Sequence, residues 1–189
     1  GAWSHMKASE RGALLLKLAD LIRRDEDELV RLESLDSGKP VSAIRRQDLP
    51  AVIDTLTYYA GMADKVEGHV IPSDKPGVFA YTKYEAKGVV AIITPWNSPL
   101  TLTSWKLAPA LAAGCTAVIK PSEFTSASML EFATLFKVAG FPDGVVNVVT
   151  GFGSEVGAPL VSHPDIAHVG FTGGEPAGVG RRHRCAGDR

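Results

Sequence analysis

The chain has 189 residues, 45% of them hydrophobic and 22% charged, with a formal net charge of −1 and a pI near 6.6. That composition fits a globular chain of one domain or one and a half, and it argues against a disordered tail, a membrane protein or an electrostatic binder of nucleic acid. Cys115 and Cys185 form neither a disulfide framework nor a metal-ligand pair, so a reducing compartment, the cytoplasm, is the expectation and no metal site is predicted.

The opening Gly-Ala-Trp-Ser-His-Met lacks the basic start and apolar run of a signal peptide. Trp3 and Met6 have nothing upstream to pack on, so the segment reads as the interior of a longer protein, with a cloning remnant at Ser4-His5-Met6 as the alternative. A helical texture follows. Leu14, Leu15, Leu18, Leu21 and Ile22 fall on one face at a 3.6-residue period, which predicts an amphipathic helix over Ala13 to Ile22. The acidic run Asp25 to Glu28 suits the start of a second helix, Leu29 to Leu35, through the helix dipole. Ser37-Gly38-Lys39-Pro40 stops it, with Gly38 placed for a left-handed cap. A third helix is predicted from Asp48 to Val66, burying Val52, Leu56, Tyr59 and Ala63.

Strands come next. Val78 to Glu85 alternates aromatic and β-branched residues between Pro76-Gly77 and Gly88, the pattern of a strand. From Gly88 on, short apolar strands alternate with helices: strand Val89 to Thr94, helix Leu100 to Ala113, strand Ala117 to Lys120 and helix Ala127 to Ala139. Strand Val145 to Val149, a short helix Ser154 to Val161 and strand His168 to Phe171 complete the series. This repetition predicts an α/β fold with a parallel sheet between helices.

Parallel sheets place ligands at the carboxyl ends of their strands, and each chemically suggestive cluster lies at such an end. After the first strand, Thr94-Pro95-Trp96-Asn97-Ser98-Pro99 pins a loop in which the Asn97 amide either donates to an oxyanion or bonds its own turn. After the second, Lys120-Pro121-Ser122-Glu123 places an acid where a ribose would be held; alternatively Ser122 or Thr125 caps the next helix, and both readings can hold together. After the third, Gly151 to Gly157 forms a Gly-rich turn into a helix, spaced G-x-G-x-x-x-G rather than as the usual dinucleotide fingerprint. Phe171-Thr172-Gly173-Gly174 ends the fourth.

Taken in order, these clusters resemble the aldehyde dehydrogenase superfamily. Its motifs are visible in Pro95-Trp96-Asn97, Trp105-Lys106 through Gly114, Lys120 to Glu123, and Gly140-Phe141-Pro142-Asp143-Gly144 leading to Val149. Gly151 to Gly157, Phe171 to Gly174 and the upstream Leu35 to Pro40 complete the match, which covers about residues 1–174. The resemblance implies a Rossmann-like parallel sheet flanked by helices, preceded by an N-terminal helical segment and a β-hairpin, as an incomplete aldehyde dehydrogenase fold. The division it suggests is 1–87 for the helices and bridging strand segment, 88–174 for the dinucleotide-binding portion, and 175–189 for an atypical tail.

For function, the resemblance implies oxidation of an aldehyde to a carboxylic acid by a cysteine nucleophile, with hydride passing to NAD. Asn97 would hold the oxyanion, and Lys106 would be a buried structural or proton-handling lysine. Ile93, Thr94, Pro95 and Trp96 would line the cofactor cleft, Lys120 and Glu123 would bind the adenine ribose, and Ser122 would also be cofactor-binding. Gly153 and Gly157 would lie on the adenine side and Gly174 near the pyrophosphate, with Phe171, Thr172 and Gly173 also among the cofactor-binding residues. Glu123 favours NAD over NADP. An aldehyde is the implied partner, and a homo-oligomer, dimer or tetramer, the implied state of the longer protein.

The sequence also departs from the family. The family's catalytic Cys and Glu fall beyond Arg189, and Cys115 occupies a structural turn position. The run Gly178 to Cys185 lacks the family's apolar helix face, which points to a frameshift or premature truncation near Glu175. An acylating, coenzyme A-dependent relative and a non-catalytic nucleotide-binding remnant or interaction module stand as alternative readings.

Overall fold

The apolar stripes of the first third fold into a helical layer. In the computed structural model, which describes residues 1–175 and Gly178, a short helix α1 (Ala2–His5) leads to α2 (Ala8–Arg24). The Lys7 amide donates to the Glu10 carboxylate at 2.9 Å and marks the start of α2. Leu15, Leu18, Leu21 and Ile22 are buried as their spacing predicts, while Leu14 is only half covered. α3 (Glu26–Ser37) closes on Gly38 at φ 70°, the left-handed cap expected there.

Trp3 departs from the expectation drawn from its position. It packs downstream, with its ring 5.5 Å from Phe141 and its indole N–H donating to the Cys115 carbonyl at 3.0 Å. A partner 112 residues away leaves no local trace in the sequence.

The third helix, expected from Asp48 to Val66, is α5 (Leu49–Met62). It does not begin from coil: α4 (Val41–Ala43) and a π-helical turn (Ile44–Asp48) run into it. Pro50 has no N–H to donate, which suits its place in the first turn of α5. The ladder widens just before it, with the Leu49 N–H bonded to the Ile44 carbonyl. Val52, Leu56 and Ala63 are buried and Tyr59 half-buried. The helix stops at Met62, and Val66 lies exposed beyond it. α2 and α5 cross so closely that a Cβ on Gly12 would lie 2.6 Å from the Ala60 carbonyl oxygen.

The strand expected over Val78 to Glu85 shrinks to two residues. β1 (Val70–Ile71) and β2 (Ala80–Tyr81) form an antiparallel ribbon, with Val70 opposite Tyr81. Phe79, Tyr81 and Tyr84 are all exposed, so the alternating pattern has no layer beneath it to extend the pairing.

The main sheet follows the expected order of elements. β3 (Val89–Ile93), β4 (Thr116–Lys120), β5 (Val146–Val148) and β6 (Ile166–Phe171) are parallel in the spatial order β5-β4-β3-β6. α6 (Pro99–Ala112) and α7 (Ala127–Ala139) connect the first three strands, and both are where the sequence predicts them. The short helix expected at Ser154 divides into a π-helical turn (Gly153–Gly157) and α8 (Ala158–Ser162). β6 starts two residues ahead of the expected His168, at Ile166.

One face of the sheet, with Val90, Ile92, Ala117 and Ile119, packs under α6 and α7, and the α2, α3 and α5 layer covers those helices in turn. Phe132, Phe136, Phe141 and Trp3 make a continuous run of ring contacts at 5.0, 5.1 and 5.5 Å through this core, each about 0.5–1.5 kcal/mol beyond simple burial. The step from β5 back to β6 reverses direction across the sheet, so a right-handed crossover carries α8 to the opposite face. The fold is thus α/β, with a four-stranded parallel sheet flanked by helices behind an N-terminal helical segment. The tail from 176 on, Gly178 excepted, and with it Cys185 and the expectation of a frameshift, lies outside the described residues.

Candidate functional site

The strand order locates the site. The chain runs outward from β3 to β4 and β5, then returns to place β6 on the other side of β3. A parallel sheet opens a ligand crevice at the carboxyl ends of its strands where the order reverses, here between β3 and β6. The register aligns these ends: Ile93 lies opposite Lys120 on one side and Phe171 on the other. The alignment continues past the strands, with the Thr94 amide bonded to the Lys120 carbonyl at 3.3 Å and the Thr172 amide to the Ile93 carbonyl at 3.1 Å. Ile93 to Trp96, Lys120 to Glu123 and Phe171 to Gly174 therefore share one end of the sheet. Within that group Thr94 is buried against the Thr103 hydroxyl at 3.4 Å, and Trp96 is exposed.

Asn97 is exposed in the loop leaving β3. Its side-chain amide makes no hydrogen bond to the described residues; Ser98 holds the turn instead, its hydroxyl donating to the Asn97 carbonyl at 2.7 Å. The turn-asparagine alternative is therefore not what is found, and the carboxamide stands open to solvent. Ser98 is itself held. The Lys39 ammonium donates to the Ser98 Oγ at 3.1 Å and to Asp48 Oδ2 at 2.5 Å. Thr101, one turn into α6, donates to the Asp48 carbonyl at 3.3 Å.

Beside this group lies Glu33, fully buried, with neither carboxyl oxygen hydrogen-bonded within the described structure. Burial, then the nearby Asp48 charge, pushes its carboxyl up to about 8, against the opposing pull of Lys39 and the Leu100 amide. The sequence reading passed over this cluster. Its signal was an acid at the stripe position shared by Leu29, Val30 and Glu33 on α3.

The Lys120 turn is tightly built. The Lys120 ammonium, buried, donates to the Pro121 carbonyl at 2.7 Å and lies 3.4 Å from Glu123 Oε2, whose carboxylate remains partly open to solvent. Ser122 is buried and accepts the Phe124 amide at 3.3 Å on its hydroxyl. Neither Ser122 nor Thr125 caps α7. Its first amide, Ala127, is bonded at 2.6 Å by Asp36 Oδ2 from the end of α3, a charged cap supplied across the interface.

After β5, Gly151 has φ 141°, and a Cβ there would lie 2.5 Å from Val156 Cγ2, so only glycine lets this turn fold back on the helix that follows. Gly153 is exposed at the turn and Gly157 is buried beneath it. Lys106 stands apart from the strand ends. It lies along α6 with its stem packed on Gly170 of β6 and its ammonium bonded to the Leu102 carbonyl at 2.9 Å. Desolvation holds its ammonium below the usual lysine range. It lines a cavity of about 490 Å³ with Trp105, His168 and Cys115. Cys115 is buried just before β4 begins, at the amino end of that strand, which puts about 17 Å of sheet between it and the crevice. Among the described residues no cluster of His, Cys, Asp and Glu has the make-up of a metal site, and no helix is long and apolar enough to cross a membrane.

The family model for aldehyde dehydrogenases matches residues 1–186. The chain belongs to the aldehyde dehydrogenase family. It is 53% identical over 173 residues to the (Z)-2-((N-methylformamido)methylene)-5-hydroxybutyrolactone dehydrogenase of Acinetobacter baylyi, covering 92% of this chain and 35% of that protein. It is 51% identical over 176 residues to aldehyde dehydrogenase 1A1 of Equus caballus, covering 93% of this chain and 35% of the relative. An NAD+ complex of an aldehyde dehydrogenase from Bacillus cereus superposes with a TM-score of 0.96 at 47% identity, over 99% of this chain and 38% of that one. The chain thus spans about a third of the length of the aldehyde dehydrogenases it matches.

Proposed function

We propose that this chain is the nucleotide-binding portion of an NAD-dependent enzyme that oxidises an aldehyde to a carboxylic acid. The observation that carries the reading is the convergence of Thr94 to Asn97, Lys120 to Glu123 and Thr172 to Gly174 at the end of the sheet where the strand order reverses. The residues present suit a dinucleotide: a partly open acid at Glu123, a fixed lysine at Lys120, and glycine backbone at 151, 153, 173 and 174 that allows close approach. Ile93, Pro95 and Trp96 wall the same crevice.

When bound, NAD supplies the hydride acceptor. The chain's own part is to bind and orient. Glu123 accepts hydrogen bonds from ribose hydroxyls, and Lys120, anchored on the Pro121 carbonyl, fixes that carboxylate. Asn97, its carboxamide free of local bonds, donates to the aldehyde oxygen as negative charge develops there. Lys106, with its stem on Gly170 of β6 and its ammonium on the Leu102 carbonyl, takes the structural part and packs α6 on the sheet. Cys115 is not the nucleophile, because it is buried at the wrong end of β4. The chain alone is therefore expected to lack aldehyde oxidation activity, and the longer protein to work as a cytoplasmic homo-oligomer.

Calorimetric titration of NAD and of NADP into the 189-residue chain tests the binding assignment. NAD is expected to bind about tenfold more tightly, about 1.4 kcal/mol, because the Glu123 carboxylate repels a 2′-phosphate. Glu123→Ser should erase that preference. A chain that binds neither nucleotide, or an unchanged ratio in Glu123→Ser, overturns the reading.

A further inference from the structure

The Asn97 turn is tied to a charged cluster far upstream, with Lys39 lying 59 residues from Ser98. From Asp48, the chain of contacts runs through the Lys39 ammonium to the Ser98 hydroxyl, and from that hydroxyl to the Asn97 carbonyl. Three separate segments take part: the loop after α3, the residues leading into α5, and the residues just ahead of α6. Fully buried Glu33 lies within electrostatic reach of this chain. The groups that face it are Asp36 on its own helix, Lys39 in the following loop, Asp48 at the head of α5 and the Leu100 amide at the head of α6.

We propose that Lys39 is a positioning residue for the Asn97 turn, and that the ionisation of Glu33 sets how firmly Lys39 holds it. The proposal rests on the reading of Asn97 as the oxyanion donor for its meaning in catalysis, while the coupling itself stands on the Lys39–Ser98 contact and on the buried, unbonded Glu33 carboxyl within the field of Lys39.

The physical argument follows from counting donors and charges. An ammonium has three N–H donors and is a compact point charge. With Glu33 neutral, Lys39 has one close carboxylate, Asp48, and directs a further donor to the uncharged Ser98 hydroxyl. Ionising Glu33 adds a second carboxylate in a water-poor interior. The three donors sit on one nitrogen, so an ammonium drawn by Coulomb attraction toward Glu33 moves off its uncharged partner, the Ser98 hydroxyl. Ser98 then loses its anchor, and the turn that aims the Asn97 carboxamide loosens. The buried carboxyl pushed up to about 8 places this change in the mildly alkaline range.

Carbon-detected NMR of the complete 189-residue chain tests this without requiring any ligand. The Asn97 side-chain carbonyl and the Ser98 backbone carbonyl are followed from about pH 6 to about pH 10. In the native sequence both signals should move together in one titration centred near pH 8. Glu33→Gln, which keeps the shape and removes the ionisation, should freeze them at their low-pH positions. Lys39→Met should displace them at every pH and abolish the titration, and Lys39→Arg should restore at least part of it. Unchanged methyl signals from buried Leu15 and Leu56 establish that each variant is folded; if Lys39→Met is not, Glu33→Gln and Lys39→Arg carry the test.

Signals that stay still in the native chain, or titrate equally in Glu33→Gln, overturn the proposal. Adding NAD to the same samples separates the two readings. Nucleotide binding with inert Asn97 and Ser98 signals removes the relay and keeps the nucleotide site. A working relay in a chain that ignores NAD does the reverse.

Discussion

Gly12 and Gly61 allow the helix crossing to be measured by one substitution made twice. Both lie within helices, α2 and α5, so replacing either with alanine gains helix propensity of up to about 1 kcal/mol. The space around them differs. A Cβ on Gly61 meets nothing within 4 Å, whereas one on Gly12 meets the Ala60 carbonyl oxygen at 2.6 Å and the Ala63 Cβ at 3.6 Å. The oxygen belongs to backbone inside a helix, so relief requires α2 and α5 to move apart, and overpacking of this kind costs about 1–3 kcal/mol. The clash wins at Gly12 and propensity wins at Gly61. Gly12→Ala is expected to be less stable than Gly61→Ala by about 1–3 kcal/mol, a gap of several degrees in Tm for a chain of this size. Urea unfolding of both variants, followed by circular dichroism, reads the difference directly. A Gly12→Ala protein as stable as Gly61→Ala would refute the close crossing.

Glu33→Gln should change how stability depends on pH. The folded state raises this carboxyl from 4.5 to about 8, so between those values it holds a proton that the unfolded chain releases. The native chain should thus keep its full stability below about pH 4.5 and lose up to roughly 5 kcal/mol as pH rises to about 8, at 1.36 kcal/mol per unit. Urea midpoints at mildly acid and mildly alkaline pH should diverge in the native chain and converge in the variant, and equal pH slopes would show that Glu33 is solvated. Trp3→Phe retains the ring against Phe141 but loses the 3.0 Å bond to the Cys115 carbonyl, for an expected loss of about 1 kcal/mol; no change in unfolding free energy would place the N-terminal helix off the core. Asp36→Ala removes the cap on Ala127 and should cost about 1 kcal/mol, most of it recovered in Asp36→Asn; equal stability of the two variants would show that no cap exists.

Much of the sheet could be read from the sequence because its signals are local. Val89 to Ile93 and Thr116 to Lys120 are short β-branched runs bounded by turns, and the regular spacing of helices between them identifies a parallel arrangement. The same logic located the strand-end clusters, since a parallel sheet converts order along the chain into position in space. The features that escaped are non-local. Nothing near Asp36 indicates that it caps a helix 91 residues later, and nothing near Lys39 points to Ser98, 59 residues on. The residues from 78 to 85 have the alternation of a long strand, yet without a second layer only Ala80–Tyr81 pairs. Lys106 shows a further limit: the resemblance implies a buried lysine, whereas the side chain is only half-buried, its stem on Gly170 of β6 and its ammonium on the Leu102 carbonyl.

The helical layer has a consequence for the protein while it is being made. α2 and α3 bury part of their surface against α7, and α2 and α5 against α6, helices that lie later in the sequence. The seventy-odd residues between Met62, the end of α5, and Ala139, the end of α7, take roughly 4 to 15 seconds to synthesise at ordinary ribosomal rates. Until α6 and then α7 are made, α2, α3 and α5 lack the surfaces that those helices supply. The crossing at Gly12 joins α2 to α5 within the part already made, so it can close first, while the surface that awaits α6 and α7 stays open to whatever the nascent chain meets.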